Sequence, residues 1–109
     1  MEIHVIGVDL GKTVFHLVGL NRSGEAVVRK KFSRAQLLRF TSNLHVHLIG
    51  MEACGGAHFL ARALCAQGHQ VRLMPAQYVK PYVKTNKNDY IDAEAIAEEV
   101  ARPTMRLSR

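Results

Sequence analysis

The first 32 residues hold three strand-like runs, and the two connections between them are too short for a crossover helix. Residues 3–9 alternate apolar with other side chains up to Gly11, and residues 14–20 are rich in β-forming residues. The segment NRSG at 21–24 is a turn signal, and extended structure is predicted again over 26–32. Because only antiparallel strands can be joined by tight turns, the three runs predict an antiparallel meander.

The rest of the chain alternates helix and strand. Ser33 and Gln36 have the spacing of a capping box, and apolar residues at helical spacing predict a helix of about ten residues after it. The remaining predicted elements are a strand over 45–51, a helix over 57–67 ended by Gly68, a strand over 71–74 and a helix over 88–101. The order βββαβαβα predicts an α/β fold, a mixed five-stranded sheet whose first three strands are antiparallel, with helices on its faces.

Length and composition exclude several classes of protein. The 109 residues are enough for one domain, and no run approaches the roughly 18 apolar residues of a membrane span. The N-terminus lacks the basic region and cleavage site of a signal peptide. Cys54 and Cys65 indicate neither a disulfide framework nor a zinc cage, and we interpret Cys54 as a small buried residue. A reducing, cytoplasmic compartment fits these features, and no membrane partner is expected.

The charge balance points to a polyanionic partner. Fifteen Lys and Arg stand against nine Asp and Glu, a net charge of +6 and a pI near 9.8. Lys12, in the first turn, is either a phosphate contact or a solvated lysine. In the segment before the last helix lysines alternate with tyrosines, which suits phosphate contacts and base stacking; these residues are Tyr78, Lys80, Tyr82, Lys84 and Lys87. The alternative is that the tyrosines pack on the core.

Four carboxylates stand at the ends of predicted elements. Asp9 and Glu52 each follow an apolar strand, and Asp89 and Asp92 begin the last helix, three residues apart on one face. If these four groups converge, they repel one another unless a cation lies among them. Oxygen ligands favour Mg²⁺ or Mn²⁺ over zinc. Two such ions, about 4 Å apart, stabilise the attacking and leaving oxygens of phosphodiester chemistry.

Other interpretations of the same residues stay open. Asp9 and Glu52 could serve in turns, and acids in a first helical turn are favoured by the helix dipole without any metal. The protein would then be a nucleic-acid-binding module without catalysis. The segment GVDLGKT is no phosphate loop, since Ile6 stands where that motif needs glycine. An ATPase of the actin-like type also opens with a strand, Asp-x-Gly and a hairpin, but it normally needs two domains.

Three segments together carry a family resemblance: GVDLGK, GMEACGGAH and VRLMPAQYVKPYVKTNKNDYIDAEAIAEEVARPTMR. They resemble the N-terminal domain of the IS110 family of insertion-sequence transposases, over essentially the whole chain. The resemblance implies an RNase H-like fold similar to that of the RuvC resolvase. It also implies that Asp9, Glu52, Asp89 and Asp92 are the DEDD carboxylates that catalyse and hold Mg²⁺ (or Mn²⁺).

The resemblance also implies an activity and partners. These are DNA recombination in transposition, guidance by a structured non-coding RNA, and homodimers that assemble further. We expect residues 1–102 to form the RuvC-like domain and residues 103–109 to begin a linker. Family members continue into a second domain with a serine nucleophile, which lies beyond this chain. We therefore expect the chain alone to be incompetent for full recombination.

Overall fold

The computed structural model describes residues 2–75 and 89–101, and in the last helix it describes side chains from residue 93 onward. No helix in these ranges is both long and apolar enough to cross a membrane. The elements in chain order are β1 (Val5–Leu10), β2 (Phe15–Leu20), β3 (Ala26–Phe32), α1 (Arg34–Thr41), β4 (Leu48–Glu52), α2 (Ala57–Ala66), β5 (Val71–Met74) and α3 (Asp89–Ala101).

The five strands form one mixed sheet in the order β3-β2-β1-β4-β5. β1 pairs with β2, and β2 with β3, in antiparallel fashion, whereas β1–β4 and β4–β5 are parallel. The predicted order βββαβαβα and the antiparallel start of the sheet are thus confirmed. β3 and β5 span the residues that the sequence predicts.

The capping box at the start of α1 is confirmed. The Gln36 backbone N–H donates to the Ser33 Oγ at 3.3 Å, and the Ser33 N–H donates to the Gln36 Oε1 at 2.9 Å. The helix is eight residues long rather than ten. Near its end the Thr41 hydroxyl donates to the Leu37 carbonyl at 3.0 Å, so the buried hydroxyl is satisfied within its own helix.

β4 begins later than the sequence predicts. Pairing with β1 starts at Val5 and Leu48, so residues 45–47 precede the strand and the prediction that it begins at 45 is wrong. His47 is tied to the sheet by one hydrogen bond from its N–H to the His4 carbonyl, 2.8 Å long. Val46 packs against the core from outside the strand, and this burial explains the apolar pattern that makes the segment look like a strand.

The two faces of the sheet bury different sets of residues, because successive side chains of a strand point to opposite faces. One face is covered by α1 and α2, and its core includes Ile6, Val8, Leu17, Ile49, Met51, Leu37, Leu60 and Leu64. The other face is covered by α3, and its core includes Val5, Val18, Leu48, Ala93, Ile96, Ala97 and Val100.

Two glycines let α3 approach the sheet at the level of the backbone. A Cβ added at Gly7 would overlap the Ala93 carbonyl oxygen and lie 2.5 Å from the Ala97 nitrogen. A Cβ added at Gly50, which pairs with Gly7 across β1 and β4, would lie 2.7 Å from the Cβ of Val100. Both positions therefore need the absence of a side chain.

Candidate active site

Asp9 and Glu52 lie side by side at the carboxyl edge of the sheet, the edge where the parallel strands β1 and β4 end. The parallel pairing runs to Val8 and Met51, so Asp9 and Glu52 are the next residues in register. Neighbouring strands are about 4.8 Å apart. Both residues are partly exposed. The structure therefore brings together the two acids that the sequence predicts at strand ends.

Both carboxylates belong to the face of the sheet that α3 covers. Gly7 and Gly50, two residues earlier in each strand, face α3 directly. Since the side-chain period of a strand is two residues, Asp9 and Glu52 lie on the same face as these glycines. Neither acid faces the core that α1 and α2 cover.

α3 points its amino end towards the two carboxylates. Its last residues, Val100 and Ala101, line a cavity with His4 and His47 at the amino edge of the sheet, the edge opposite Asp9. Ala93 lies over Gly7 in the middle of β1. The helix axis therefore runs back along the strands, and the first helical turn lies towards the carboxyl edge.

The first turn of α3 contains the other two predicted acids. Positions 89 and 92 come one helical turn before Ala93 and Ile96, which are buried against the sheet. The side chains of Asp89 and Asp92 lie outside the described residues. Among the described side chains, no three or more of His, Cys, Asp and Glu group closely enough to hold a metal ion. The backbone thus gathers the four predicted positions at one edge, and the role of the four carboxylates remains a prediction.

A histidine that sequence patterns did not single out stands beside Asp9. In the antiparallel pairing of β1 with β2, His16 is directly opposite Asp9, and Lys31 of β3 is opposite His16. Directly opposed residues have Cβ atoms about 5 Å apart. The row Lys31–His16–Asp9–Glu52 therefore crosses four strands on one face. The sequence does contain the information needed to pair His16 with Asp9, because the short β1–β2 connection fixes the register of the hairpin.

The predicted nucleic-acid contacts fall partly within the described structure. Lys12 is exposed in the β1–β2 turn at the carboxyl edge, where the Gly11 N–H donates to the Val14 carbonyl at 3.1 Å. The other predicted contacts lie outside the described residues; they are Tyr78, Lys80, Tyr82, Lys84 and Lys87.

The cysteine interpretation needs correction, because Cys54 is exposed rather than buried. The Ala53 N–H still bonds the Met74 carbonyl at 2.8 Å, but the chain then leaves the sheet in a turn before α2. His69 has a structural contact, with its Nε2 2.8 Å from the Thr41 carbonyl oxygen. His69 therefore joins the α2–β5 connection to the end of α1.

The chain matches the model of a known protein family over nearly its whole length. The model of the IS110-type DEDD family, described as a transposase, matches residues 6–109. The chain belongs to this transposase family. It is 48% identical to the transposase for insertion sequence element IS1328 of Yersinia enterocolitica, and 49% identical to a probable family 20 transposase of Pseudomonas aeruginosa. The matches cover 95% and 97% of the chain but 31% of each relative, so the chain spans about a third of their length.

Solved structures confirm the predicted RuvC-like, RNase H-like fold of this transposase domain. Thermus thermophilus RuvC, in complex with a Holliday junction substrate, superposes with a TM-score of 0.68 at 14% identity. That match covers 90% of the chain and 92% of RuvC. A second RuvC structure from the same organism gives a TM-score of 0.64 at 13% identity, covering 87% and 90% of the two chains. At such low identity the likeness concerns the fold.

Proposed function

We propose that this domain is the metal-dependent catalytic domain of a DNA transposase that acts on phosphodiester bonds. The observation that carries the proposal is the in-register placement of Asp9 and Glu52 at the ends of two parallel strands, with the first turn of α3 directed to the same edge. Sites of α/β sheets gather at such carboxyl edges. Family membership supports the same function.

The donor set suits a hard divalent ion. The four acidic positions of the edge, Asp9, Glu52, Asp89 and Asp92, supply oxygen ligands only, which Mg²⁺ and Mn²⁺ prefer. When bound, such ions stabilise the negative charge on the attacking and leaving oxygens of the phosphate. The contribution of the chain is to hold the carboxylates in place, through the β1–β4 register and through the close packing of α3 on Gly7.

We propose DNA as the substrate, contacted by Lys12 and by the basic segment that leads into α3. The net charge of +6 supports a polyanionic partner, and the structurally similar RuvC has been solved in complex with a Holliday junction substrate. Lys80, Lys84 and Lys87 would deliver the phosphate backbone to Asp89, which follows them closely in sequence. A structured guide RNA, a homodimer and a cytoplasmic location are proposals that rest on the family resemblance.

We also propose that residues 1–102 form the catalytic domain and that residues 103–109 begin a linker. The last described helix ends at Ala101, and the relatives are about three times as long as the matched segment. Complete recombination would then need the remaining part of the transposase.

Thermal unfolding in increasing Mg²⁺ or Mn²⁺ tests the metal site. A ligand that binds only the native state stabilises it by RT ln(1 + [L]/Kd), about 2.7 kcal/mol at a hundred times Kd. We expect this gain in the wild type and a much smaller gain in Asp9→Asn, Glu52→Gln and Asp92→Asn. Without metal, Asp92→Asn should melt at the same temperature as the wild type or higher, because one repelling charge is gone.

Glu25→Gln is the matched control. Glu25 is an exposed acid of the β2–β3 turn, and glutamine can still accept the hydrogen bond from Asn21. The control should respond to metal like the wild type. An equal response in all variants would contradict coordination by these carboxylates. If the wild type binds DNA in EDTA but is not stabilised by metal, the result would favour the alternative, a nucleic-acid-binding module without catalysis.

A further inference from the structure

The two helices on the face opposite α3 carry arginines and no acids. α1 (RAQLLRFT) and α2 (AHFLARALCA) contain three arginines and neither Asp nor Glu. α3 (DYIDAEAIAEEVA) holds five of the nine acids of the chain. The helices on the two faces of the sheet therefore carry net charges of opposite sign.

Two of these arginines, one from each helix, meet on an exposed aromatic ring. The Cζ of Arg34 lies 4.7 Å from the centroid of the Phe59 ring, and the Cζ of Arg62 lies 6.0 Å from it. Half of the Phe59 surface is exposed, and both arginines are exposed as well. A cation–π contact at an exposed site is worth about 0.5–1 kcal/mol. The same ring therefore contacts two cationic groups, one from each helix.

Two other arginines, both outside α1 and α2, have carboxylate partners. Arg22 pairs with Glu2 and Arg29 with Glu94, each with a nitrogen–oxygen distance of 3.6 Å. Within residues 2–75 and 93–101, the structure contains no ion pair of Arg34 or Arg62 with a carboxylate. Both guanidinium groups are exposed and, within these ranges, have no carboxylate to neutralise them, so they are available to an external anion.

The arginine pair lies near the carboxyl edge, on the other face of the sheet from Asp9. α1 follows the end of β3, where Phe32 pairs with Phe15, and α2 follows the end of β4. Both helices therefore begin at the edge where β1 and β4 end. A strand of nucleic acid that crosses this edge can contact the arginine pair independently of α3.

We propose that Arg34 and Arg62, held on the ring of Phe59, bind the phosphate backbone of nucleic acid on the α1–α2 face. Guanidinium groups bind phosphate through paired N–H donors, and Phe59 orders these donors in advance. This surface goes beyond the proposed function, since it needs neither the metal nor the four carboxylates.

Fluorescence anisotropy with a labelled 20-base-pair DNA duplex, in EDTA and over a range of salt concentrations, tests the proposal on the full chain. The double variant Arg34→Ala/Arg62→Ala should bind more weakly by on the order of tenfold at 0.1 M salt. The slope of log K against log salt should fall by about 1.8, because each phosphate contact contributes about 0.9. Phe59→Leu keeps both charges, so it should bind a few-fold more weakly with an unchanged slope.

The control variant Arg22→Ala/Arg29→Ala removes two positive charges that already have carboxylate partners. It should lose less affinity than the arginine pair and keep most of the salt slope. Equal losses in the two double variants would mean that only net charge matters, and would overturn the proposal. If Arg34→Ala/Arg62→Ala binds DNA with the same affinity as the wild type, the proposal is overturned as well. A protein partner would then be the alternative occupant of this face. Because EDTA is present throughout, failure here is distinct from failure of the metal site.

Discussion

The two faces of the sheet are packed in different ways. On the α3 face, small residues let backbone approach backbone, with Gly7 under Ala93 and Ala97. On the α1–α2 face, large aliphatic side chains interdigitate, among them Leu17, Met51, Leu60 and Leu64. Backbone contact leaves no side chain that can move aside, whereas side chains can repack. The packing therefore fixes α3, which carries two of the proposed ligands, more rigidly than it fixes the other two helices.

Gly7→Ala should have the largest effect. Its new methyl group would meet backbone atoms of Ala93 and Ala97, which no rotamer change can move. We expect a loss of more than about 3 kcal/mol in the free energy of unfolding, since overpacking costs about 1–3 kcal/mol where side chains can adjust. Urea unfolding measures this loss. Metal stabilisation should disappear with the displaced helix, and a loss below about 1 kcal/mol would contradict backbone contact at this position.

Leu60→Ala probes the opposite face. Leu60 is 1% exposed in the α1–α2 core, and truncation of such a residue typically costs about 2–5 kcal/mol. We expect a loss of about 2–3 kcal/mol in the same urea measurement. Because α3 does not belong to this core, the additional stability conferred by Mg²⁺ should stay at its wild-type value. A variant that lost the response to metal would show that the two faces are not independent.

Gly50→Ala should cost less than Gly7→Ala. Its methyl group would meet side-chain atoms of Val100 at 2.7–2.9 Å, so the clash can be removed by a second substitution. We expect a loss of about 1–2 kcal/mol. The double variant Gly50→Ala/Val100→Gly, which removes the Cβ of residue 100 as well, should show a coupling energy that offsets most of this loss in a double-mutant cycle. Simple additivity would argue against the contact.

Sequence patterns predict the elements better than their assembly. Runs such as 26–32 and 71–74 and the capping box of α1 are local signals, and the structure confirms them. The predicted start of β4 is wrong because an apolar residue can be buried without belonging to a strand. Val46 packs against the core but precedes the first paired residue of β4. The predicted burial of Cys54 is also wrong. Cysteine is often a buried residue, but Cys54 is exposed just before a turn, and its residue type does not reveal that position.

The candidate site is only partly visible in the sequence. Asp9 and Glu52 can be identified because each follows an apolar run. That they lie side by side depends on the β1–β4 pairing, which no local pattern encodes. The requirement for glycine at Gly7 and Gly50 depends on the path of α3 over the sheet. The arginine pair on Phe59 joins two helices that are distant in sequence, so no spacing rule would find it.

His4, at the edge of the sheet away from the carboxylates, should give the smallest effect. Desolvation lowers its pKa below the 6.5 of a free histidine; His47 and Arg22 lower it further, and Glu2 opposes them. Between the native pKa and 6.5 the unfolded state binds more protons, so stability should fall as the pH drops through this window. His4→Gln should flatten the dependence of the melting temperature on pH there. A steeper dependence in the variant would contradict the sign.

Anomalous diffraction from crystals soaked in Mn²⁺ tests the proposed metal site most directly, because it locates the ion without any assumption about activity. We expect a manganese peak at the carboxyl edge, bound by oxygens of Asp9 and Glu52 and shared with the first turn of α3. Asp9→Asn crystals soaked in the same way should show a much weaker peak. Carboxylates of Asp9 and Glu52 that point apart, with manganese bound elsewhere or at neither residue, would contradict a metal-dependent active site at this edge.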